Sequence, residues 1–213
     1  MSKKIQISVL GGTGKAGKYI VTELLNQGFA VKMLARNPDS VGIKSDMLQV
    51  ISGNARSHNS IQRLLAGSDA VVSALGNSGK EKDTCSTALG HVIKVMRDQN
   101  TDRYIEVAGI GIDTPEDKKG IRTKIVNRVL GFLFHAAIQD RRKGYTMLEE
   151  SPLKWTIVRC PGIEPTAVKK PYKISLADIP GFKVNAATLA SFISNELSEG
   201  LYIRKCPFIA NEK

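Results

Sequence analysis

A glycine-rich segment directly behind an apolar run is the feature that most constrains the fold of this chain. The run covers residues 5–10, and an amphipathic stretch begins at Tyr19. The segment between them consists of Gly11, Gly12, Thr13, Gly14, Lys15, Ala16 and Gly17. Glycines at this spacing permit a tight turn, a close approach of backbone to phosphate, and close packing of the following helix on the strand. The segment therefore predicts a strand–turn–helix unit that holds a dinucleotide pyrophosphate at the helix N-terminus.

The end of the second apolar run, residues 30–34, bears on which dinucleotide binds. Proteins that bind NAD usually carry an Asp or Glu about 20 residues past the glycines, where it bonds the ribose 2′-hydroxyl. This chain has Arg36 and Asn37 after the run and no acid there. A planar guanidinium suits the 2′-phosphate that NADP has and NAD lacks. Arg36 and Asn37 therefore predict NADP(H), the alternative being that Arg36 is a solvated surface residue.

The rest of the chain alternates strand and helix patterns. Strands are predicted at residues 47–51, 69–76, 103–108 and 155–159, helices at 60–66, 84–99 and 185–197, and an edge strand at 201–209. Continuous apolar strands separated by helices predict an α/β fold, a doubly wound, mostly parallel Rossmann sheet with helices on both faces. At 213 residues we expect a single domain over residues 1–213, with an irregular substrate-side region from about residue 164 to residue 213.

Ligands of such sheets bind beyond the carboxyl ends of the strands, at the point where the strand order reverses. Residues at the predicted strand ends therefore join the candidate cofactor site. They are Asn54, Ala55, Leu75, Gly76, Gly109, Cys160, Pro161, Gly162 and Ile163.

Composition limits the other classes of function. The three cysteines, Cys85, Cys160 and Cys206, are far apart and form no metal-binding pattern, which indicates reduced thiols in a cytoplasmic protein. No apolar stretch is long enough to span a membrane. The net charge of +11 owes much to the segment between Lys118 and Lys143. Because no nucleic-acid-binding motif accompanies that charge, a solvated cationic face is favoured over a nucleic-acid site.

The apolar run at residues 129–137 interrupts the basic segment. It predicts a core helix, with a dimer contact or an apolar wall over a nicotinamide ring as alternatives. Both a monomer and a homodimer fit the sequence.

Conventional alcohol dehydrogenases and sugar-nucleotide epimerases are disfavoured because no tyrosine has a lysine four residues after it. In the Tyr-x-x-x-Lys pattern the lysine lowers the pKa of the phenol, which then serves as proton donor. The strand at residues 103–108 also lacks the serine that polarises a substrate carbonyl in those enzymes.

The chain resembles the atypical branch of the short-chain dehydrogenase/reductase superfamily. The resemblance rests on Gly11, Gly14 and Gly17 and on residues 34–37, 66–71, 75–76 and 148–159. That branch includes NmrA-like NADP-binding regulators and the biliverdin reductase B/flavin reductase group. In the latter group, a segment similar to residues 160–163 lies along the nicotinamide. Gly162 and Arg141 stand where that group has histidines, Gly109 where it has a serine, and Asn54 where an aspartate approaches the adenine.

The resemblance implies an NADP(H)-binding oxidoreductase, an NADPH-dependent reductase of a flavin, a quinone or a related conjugated acceptor. Hydride transfer to such acceptors needs chiefly an apolar slot that orients two flat rings. The alternative is a non-catalytic NmrA-like sensor that reports NADP binding to a protein partner. Arg141 is the candidate catalytic residue, because it could stabilise an anionic acceptor or bind its phosphate. It could equally be a surface residue of the basic segment.

Overall fold

Apolar strands and amphipathic helices alternate along the chain, as the sequence predicts. The computed structural model describes residues 4–76 and 81–212. In chain order the elements are β1 (Gln6–Leu10), α1 (Gly17–Asn26), β2 (Ala30–Ala35), β3 (Leu48–Ser52), α2 (His58–Leu65), β4 (Ala70–Ser73), α3 (Thr84–Asp98), β5 (Arg103–Gly109), α4 (Ile121–Leu133), α5 (His135–Glu150), β6 (Lys154–Cys160), β7 (Ile163–Glu164), β8 (Tyr172–Ser175), β9 (Val184–Asn185), α6 (Ala186–Glu199) and β10 (Phe208–Asn211).

An eight-stranded sheet forms the centre of the structure, with the strand order β3-β2-β1-β4-β5-β6-β10-β8. Within it, β8 runs antiparallel to β10, and the other neighbouring strands run parallel. The strand order reverses beside β1, which lies between β2 and β4. This topology confirms the predicted doubly wound, mostly parallel α/β sheet, and it opens a crevice at the carboxyl ends of β1 and β4.

Helices cover both faces of the sheet, and each face has its own apolar core. Helices α1 and α6 pack on one face, through side chains such as Leu24 and Ile193. Helices α2, α3 and α5 pack on the other, through Leu64, Met96 and Leu148. With both faces covered in this way, a strand buries side chains in both directions, which explains the continuous apolar runs in the sequence.

The prediction of an edge strand at residues 201–209 is wrong in position and extent. Strand β10 begins only at Phe208 and is an inner strand, because β8 pairs with its outer side. Arg204 has a φ of 56°, a left-handed conformation that interrupts extended backbone. Strand β8 was not predicted because its four residues form too short a pattern between the turns at residues 169–171 and 179–181.

The prediction of a core helix at residues 129–137 is also wrong. Helix α4 ends at Leu133, and α5 begins at His135. Only Thr123 of α4 is buried, whereas Phe132 is 86% exposed. The reason is geometric: the other helices already cover the faces of the sheet, and α4 packs against α5 instead. Its apolar side chains therefore point away from the core.

Candidate functional site

The glycine-rich turn after β1 depends on two glycines for its shape. Gly11 has a φ of +72°, and a Cβ on it would lie 2.6 Å from the backbone carbonyl of Ala74. A Cβ on Gly17 would overlap the carbonyl oxygen of Gly11, where α1 crosses close to the turn. Gly14 donates its N–H to the same oxygen at 3.0 Å, and it is exposed. Gly11 and Gly17 are thus required by the fold, while a Cβ on the exposed Gly14 would meet only the Gly11 carbonyl oxygen, at 3.2 Å.

Helix α1 begins at Gly17 without a side-chain cap. Ala16 occupies the N-cap position, and the first turn contains no acid. A capping Ser, Thr, Asp or Asn typically contributes about 1 kcal/mol to helix stability. Without one, no capping side chain competes with an anion for the positive end of the helix dipole.

One cavity at the carboxyl edge of the sheet brings together eight of the predicted residues. They are Gly11, Thr13, Gly14, Arg36, Asn54, Ala55, Leu75 and Gly76. The lining also includes residues that the sequence analysis missed, namely Leu34, Gly53, Ala74, Glu81 and Thr84. Three of these residues lie at or next to the carboxyl ends of β2, β3 and β4, namely Leu34, Gly53 and Ala74. Their position at strand ends could have identified them from the sequence. Five predicted residues do not line the cavity but lie within three positions of residues that do, namely Gly12, Lys15, Ala16, Gly17 and Asn37.

Arg36, just after β2, is one of the residues that line this cavity. Both Arg36 and Asn37 are exposed. Within residues 4–76 and 81–212, no hydrogen bond or ion pair engages the Arg36 guanidinium. Asn54, after β3, accepts the N–H of Arg56 at 3.0 Å through its side-chain oxygen, which fixes the local loop. Glu81 is the acidic residue among the described lining residues, and its carboxylate lies 3.9 Å from the Arg56 guanidinium.

A second cavity lies beside the end of β5. Its lining consists of Gly109, Gly111, Ile112, Ala137, Ile138 and Arg141. Gly109 is paired in register with Cys160 at the end of β6. Cys160 is buried, and Pro161, Gly162 and Ile163 continue half-buried into β7. The Gly162 carbonyl accepts the N–H of Val184 at 2.8 Å, so this segment is held by backbone bonds and does not line either cavity.

Arg141 reaches from α5 to the carboxyl ends of two strands. Its guanidinium donates to the Glu106 carboxylate on β5 and to the Leu75 carbonyl after β4. The side chain is only 15% exposed, so the interpretation of Arg141 as a solvated surface residue is wrong. Burial is the largest influence on the pKa of this guanidinium and would lower it, but the Glu106 carboxylate, together with Cys85 and Tyr104, raises it overall. Arg141 is a permanently charged group that already has a carboxylate partner.

Neither Tyr104 nor Tyr145 lines the two cavities at this edge. Tyr145 packs against Trp155 near the amino end of β6, with ring centroids 6.0 Å apart. Tyr104 is buried at the corresponding end of β5, where burial and the Glu106 carboxylate raise the pKa of its phenol well above 10. Over the described part of the chain, neither cavity lining includes a tyrosine, histidine or cysteine.

A buried charge cluster lies under the segment that follows β5. Arg159 on β6 has a fully buried side chain and contacts Asp117 at 2.8 Å, and its guanidinium lies 3.5 Å from the centre of the Phe208 ring. Lys119 contacts Asp117 at 2.9 Å. Burial would raise the pKa of the Asp117 carboxyl, but Lys119 and Arg159 outweigh burial and hold it below its usual value. The sequence pattern does not predict this cluster, because Arg159 falls within an otherwise apolar strand.

The fold and the glycine-rich turn define a Rossmann-type NAD(P)-binding protein. A family model described as NAD(P)H-binding matches residues 11–199. The chain belongs to this NAD(P)H-binding family.

Solved structures of similar fold come from several bacteria. A short-chain dehydrogenase/reductase from Veillonella parvula superposes with a TM-score of 0.82 at 18% identity, covering 98% of this chain and 95% of that one. A second one from the same organism, solved in complex with NADP, gives a TM-score of 0.80 at 16% identity, with coverages of 98% and 95%. The oxidoreductase ylbE from Lactococcus lactis gives 0.78 at 17% identity, with coverages of 98% and 92%. At these identities the likeness is one of fold.

Two curated relatives are plant proteins. The protein TIC 62, chloroplastic, from Arabidopsis thaliana is 26% identical over 198 residues, covering 80% of this chain and 30% of that protein. Its namesake from Pisum sativum is also 26% identical, with coverages of 80% and 35%. The chain thus spans about a third of the length of these relatives.

Proposed function

We propose that the protein is an NADPH-dependent reductase of a flavin, a quinone or a related conjugated acceptor. The observation that carries the cofactor assignment is the exposed Arg36 in the lining of the cavity, with no partner of its own in the described residues. A guanidinium that the fold does not use is suited to the ribose 2′-phosphate of NADP. The NADP complex of a protein with the same fold supports this choice.

We propose one orientation for the dinucleotide along the candidate site residues. The turn from Gly11 to Gly17, with the uncapped start of α1, would hold the pyrophosphate. Arg36 and Asn37 would hold the 2′-phosphate, and Asn54 and Ala55 would lie by the adenine. On the other side of the turn, the nicotinamide side would be formed by Leu75, Gly76, Gly109, Cys160, Pro161, Gly162 and Ile163.

The chemistry assigned to the protein groups is orientation and exclusion of water. The bound cofactor would supply the hydride. Because neither cavity lining includes a tyrosine, histidine or cysteine in the described part of the chain, the acceptor would take its proton from solvent. Flavins and quinones accept a hydride under that condition, whereas simple ketones need a positioned acid. Arg141 would act as a positioning residue, because it joins the Leu75 carbonyl to Glu106 at the strand ends.

The test is the oxidation of NADPH, followed by absorbance, with free FMN, riboflavin or a small quinone as acceptor. Simple aldehydes and sugar nucleotides serve as controls. We expect turnover with the conjugated acceptors only. Turnover of the aldehydes would reveal a proton donor and overturn the assignment of the acceptor class.

The second candidate function is that of a non-catalytic sensor of NADP that acts through a protein partner. The absence of a tyrosine, histidine or cysteine from the two described cavity linings favours it. Tight binding of NADP, measured by calorimetry, without turnover of any acceptor would establish the sensor over the reductase. For either function we propose a cytoplasmic protein. Among the described residues, no helix has the length and apolarity that a bilayer crossing requires.

A further inference from the structure

Helix α4 presents an apolar stripe to solvent. Ile121, Ile125 and Val129 follow each other at four-residue intervals, and Phe132 continues the row on the same side of the helix. All four are more than half exposed. Leu133 and Phe134, at the end of the helix, are exposed as well. Single exposed apolar side chains are common, but a contiguous row on one helix marks a contact surface.

Cations border this stripe on both sides. Lys124 and Arg128, one turn apart, lie along one side of it, and Arg122 lies along the other. All three are exposed, and none has an ion-pair partner within residues 4–76 and 81–212. The chain contains no Asp or Glu from residue 118 to residue 139. Lys118 and His135 join Lys124 and Arg128 in the lining of an adjacent surface cavity. The surface of α4 is therefore apolar at its centre and positively charged at its margins.

We propose that α4 docks the protein on the surface of an anionic lipid bilayer. The helix would lie in the plane of the interface, with its apolar stripe at the boundary of the acyl chains and its cations among the headgroups. Its 13 residues are too few to cross a bilayer, so the contact would be peripheral. Apolar burial and attraction to anionic headgroups would act together, as in other interfacial helices.

The charges argue against the other occupants of this surface. In a two-fold dimer through α4, the same patch would face itself, and the cations of one copy would approach those of the other. A nucleic acid could pair its phosphates with the cations, but its charged backbone would then lie against the apolar stripe, which is unfavourable. An anionic bilayer complements both the stripe and its margins.

The experiment is co-sedimentation of the cofactor-free protein with vesicles of two compositions. One contains phosphatidylcholine alone, and the other contains phosphatidylcholine with phosphatidylglycerol. We expect binding to the second at low salt and clearly weaker binding to the first. Because no cofactor or acceptor is present, the outcome is independent of the proposed reductase activity. Absence of binding to the anionic vesicles would overturn the proposal.

Two sets of variants separate the apolar and the electrostatic contributions. Leu133→Ser should weaken binding at every salt concentration, and Phe132→Ser should weaken it about tenfold or more, since burying a large apolar side chain contributes on that scale. Lys124→Gln with Arg128→Gln should weaken it roughly 25-fold at low salt, about fivefold for each cation, and much less at high salt.

Matched controls lie elsewhere on the surface. Leu201 is 65% exposed, as Leu133 is 63% exposed, so Leu201→Ser should leave binding unchanged. Lys44→Gln with Lys94→Gln removes the same charge from other exposed positions. Equal losses in the control and α4 variants would show nonspecific adsorption and refute a docking role for α4. Thermal melts should coincide for all variants, and a dimer that Phe132→Ser dissolves would assign the stripe to a second copy instead.

Discussion

The two halves of the sheet use their cations in opposite ways. At the ends of β1 and β2, Lys15 and Arg36 are exposed, and no partner within residues 4–76 and 81–212 engages them. At the ends of β5 and β6, Arg141 and Arg159 are buried against carboxylates, namely Glu106 and Asp117. At the strand ends themselves, the first pair of cations is left to a ligand and the second pair is used by the fold.

This difference assigns a role to each set of charges. A buried cation that loses its carboxylate remains desolvated and uncompensated, so the second set is needed to fold the chain. An exposed cation costs the fold little, so the first set is free to set ligand preference. Substitutions in the second half should therefore change stability, and those in the first half should change binding.

The largest effect is expected for Asp117→Asn. It leaves the fully buried Arg159 without its counter-charge, which should lower the free energy of unfolding by about 3–5 kcal/mol. Urea denaturation measures this loss. Asp102→Asn, which removes the partner of exposed Lys154, serves as the control and should cost no more than about 1 kcal/mol. Similar small losses in both variants would mean that the buried pair contributes little to the fold.

Gly14→Val tests cofactor binding at the glycine-rich turn, in the first half of the sheet. The added side chain should occupy the space where the backbone approaches pyrophosphate, and cofactor binding should be lost. NADPH at about 100 times its Kd stabilises a wild-type binder by about 2.7 kcal/mol, and the variant should lose that gain in a thermal melt. Gly42→Val is the control, because a Cβ on Gly42 would meet nothing within 4 Å. This variant should keep the stabilisation by NADPH. A full ligand-induced shift in Gly14→Val would place the pyrophosphate elsewhere.

Arg36→Ala tests the choice between the two cofactors. Losing one charged contact to the 2′-phosphate should weaken NADPH binding by about 1.5–3 kcal/mol, or roughly tenfold to a hundredfold, and leave NADH binding unchanged. Calorimetric titration with both cofactors measures the difference. Arg97→Ala, on the exposed side of α3, is the control. Equal affinities of the wild type for NADPH and NADH would contradict the role of Arg36.

The smallest effect is expected in acid. Lys119 and Arg159 hold the pKa of Asp117 below its ordinary value of 3.8, so this carboxylate stabilises the fold above that pH. Its contribution should be lost as the pH falls below 3.8, through the pKa of the folded state. The stability gap between wild type and Asp117→Asn should narrow over that range in urea titrations. A gap that does not change with pH would show that the ionisation of Asp117 does not differ between the folded and unfolded states.

Much of the sheet could be predicted from the sequence, because β1 to β6 are apolar runs. Most of them are separated by segments whose apolar residues recur at helical intervals. Strands β7 to β9 have two to four residues each, which is too short for any periodicity. Helix α4 was misplaced because an apolar run was equated with burial, although both faces of the sheet were already covered.

One part of the candidate site could likewise be predicted from the sequence, and another part could not. The cavity at the glycine-rich turn could be found from strand ends, because a parallel sheet brings them together. The pairing of Arg141 with Glu106 could not, since it joins residues 35 positions apart on different elements. The burial of Arg159 could not be predicted either. Its partner Asp117 lies in an irregular segment, which has no helical or strand periodicity.

The position of the three cysteines has a consequence for the response of the protein to oxidants. Burial raises the pKa of the Cys85 and Cys206 thiols to about 12, and that of the Cys160 thiol above its ordinary value. Since peroxides and disulfides attack the thiolate, all three sulfurs should be inert at neutral pH while the chain is folded. Exposure to peroxide at neutral pH should therefore leave the three thiols of the folded chain unmodified.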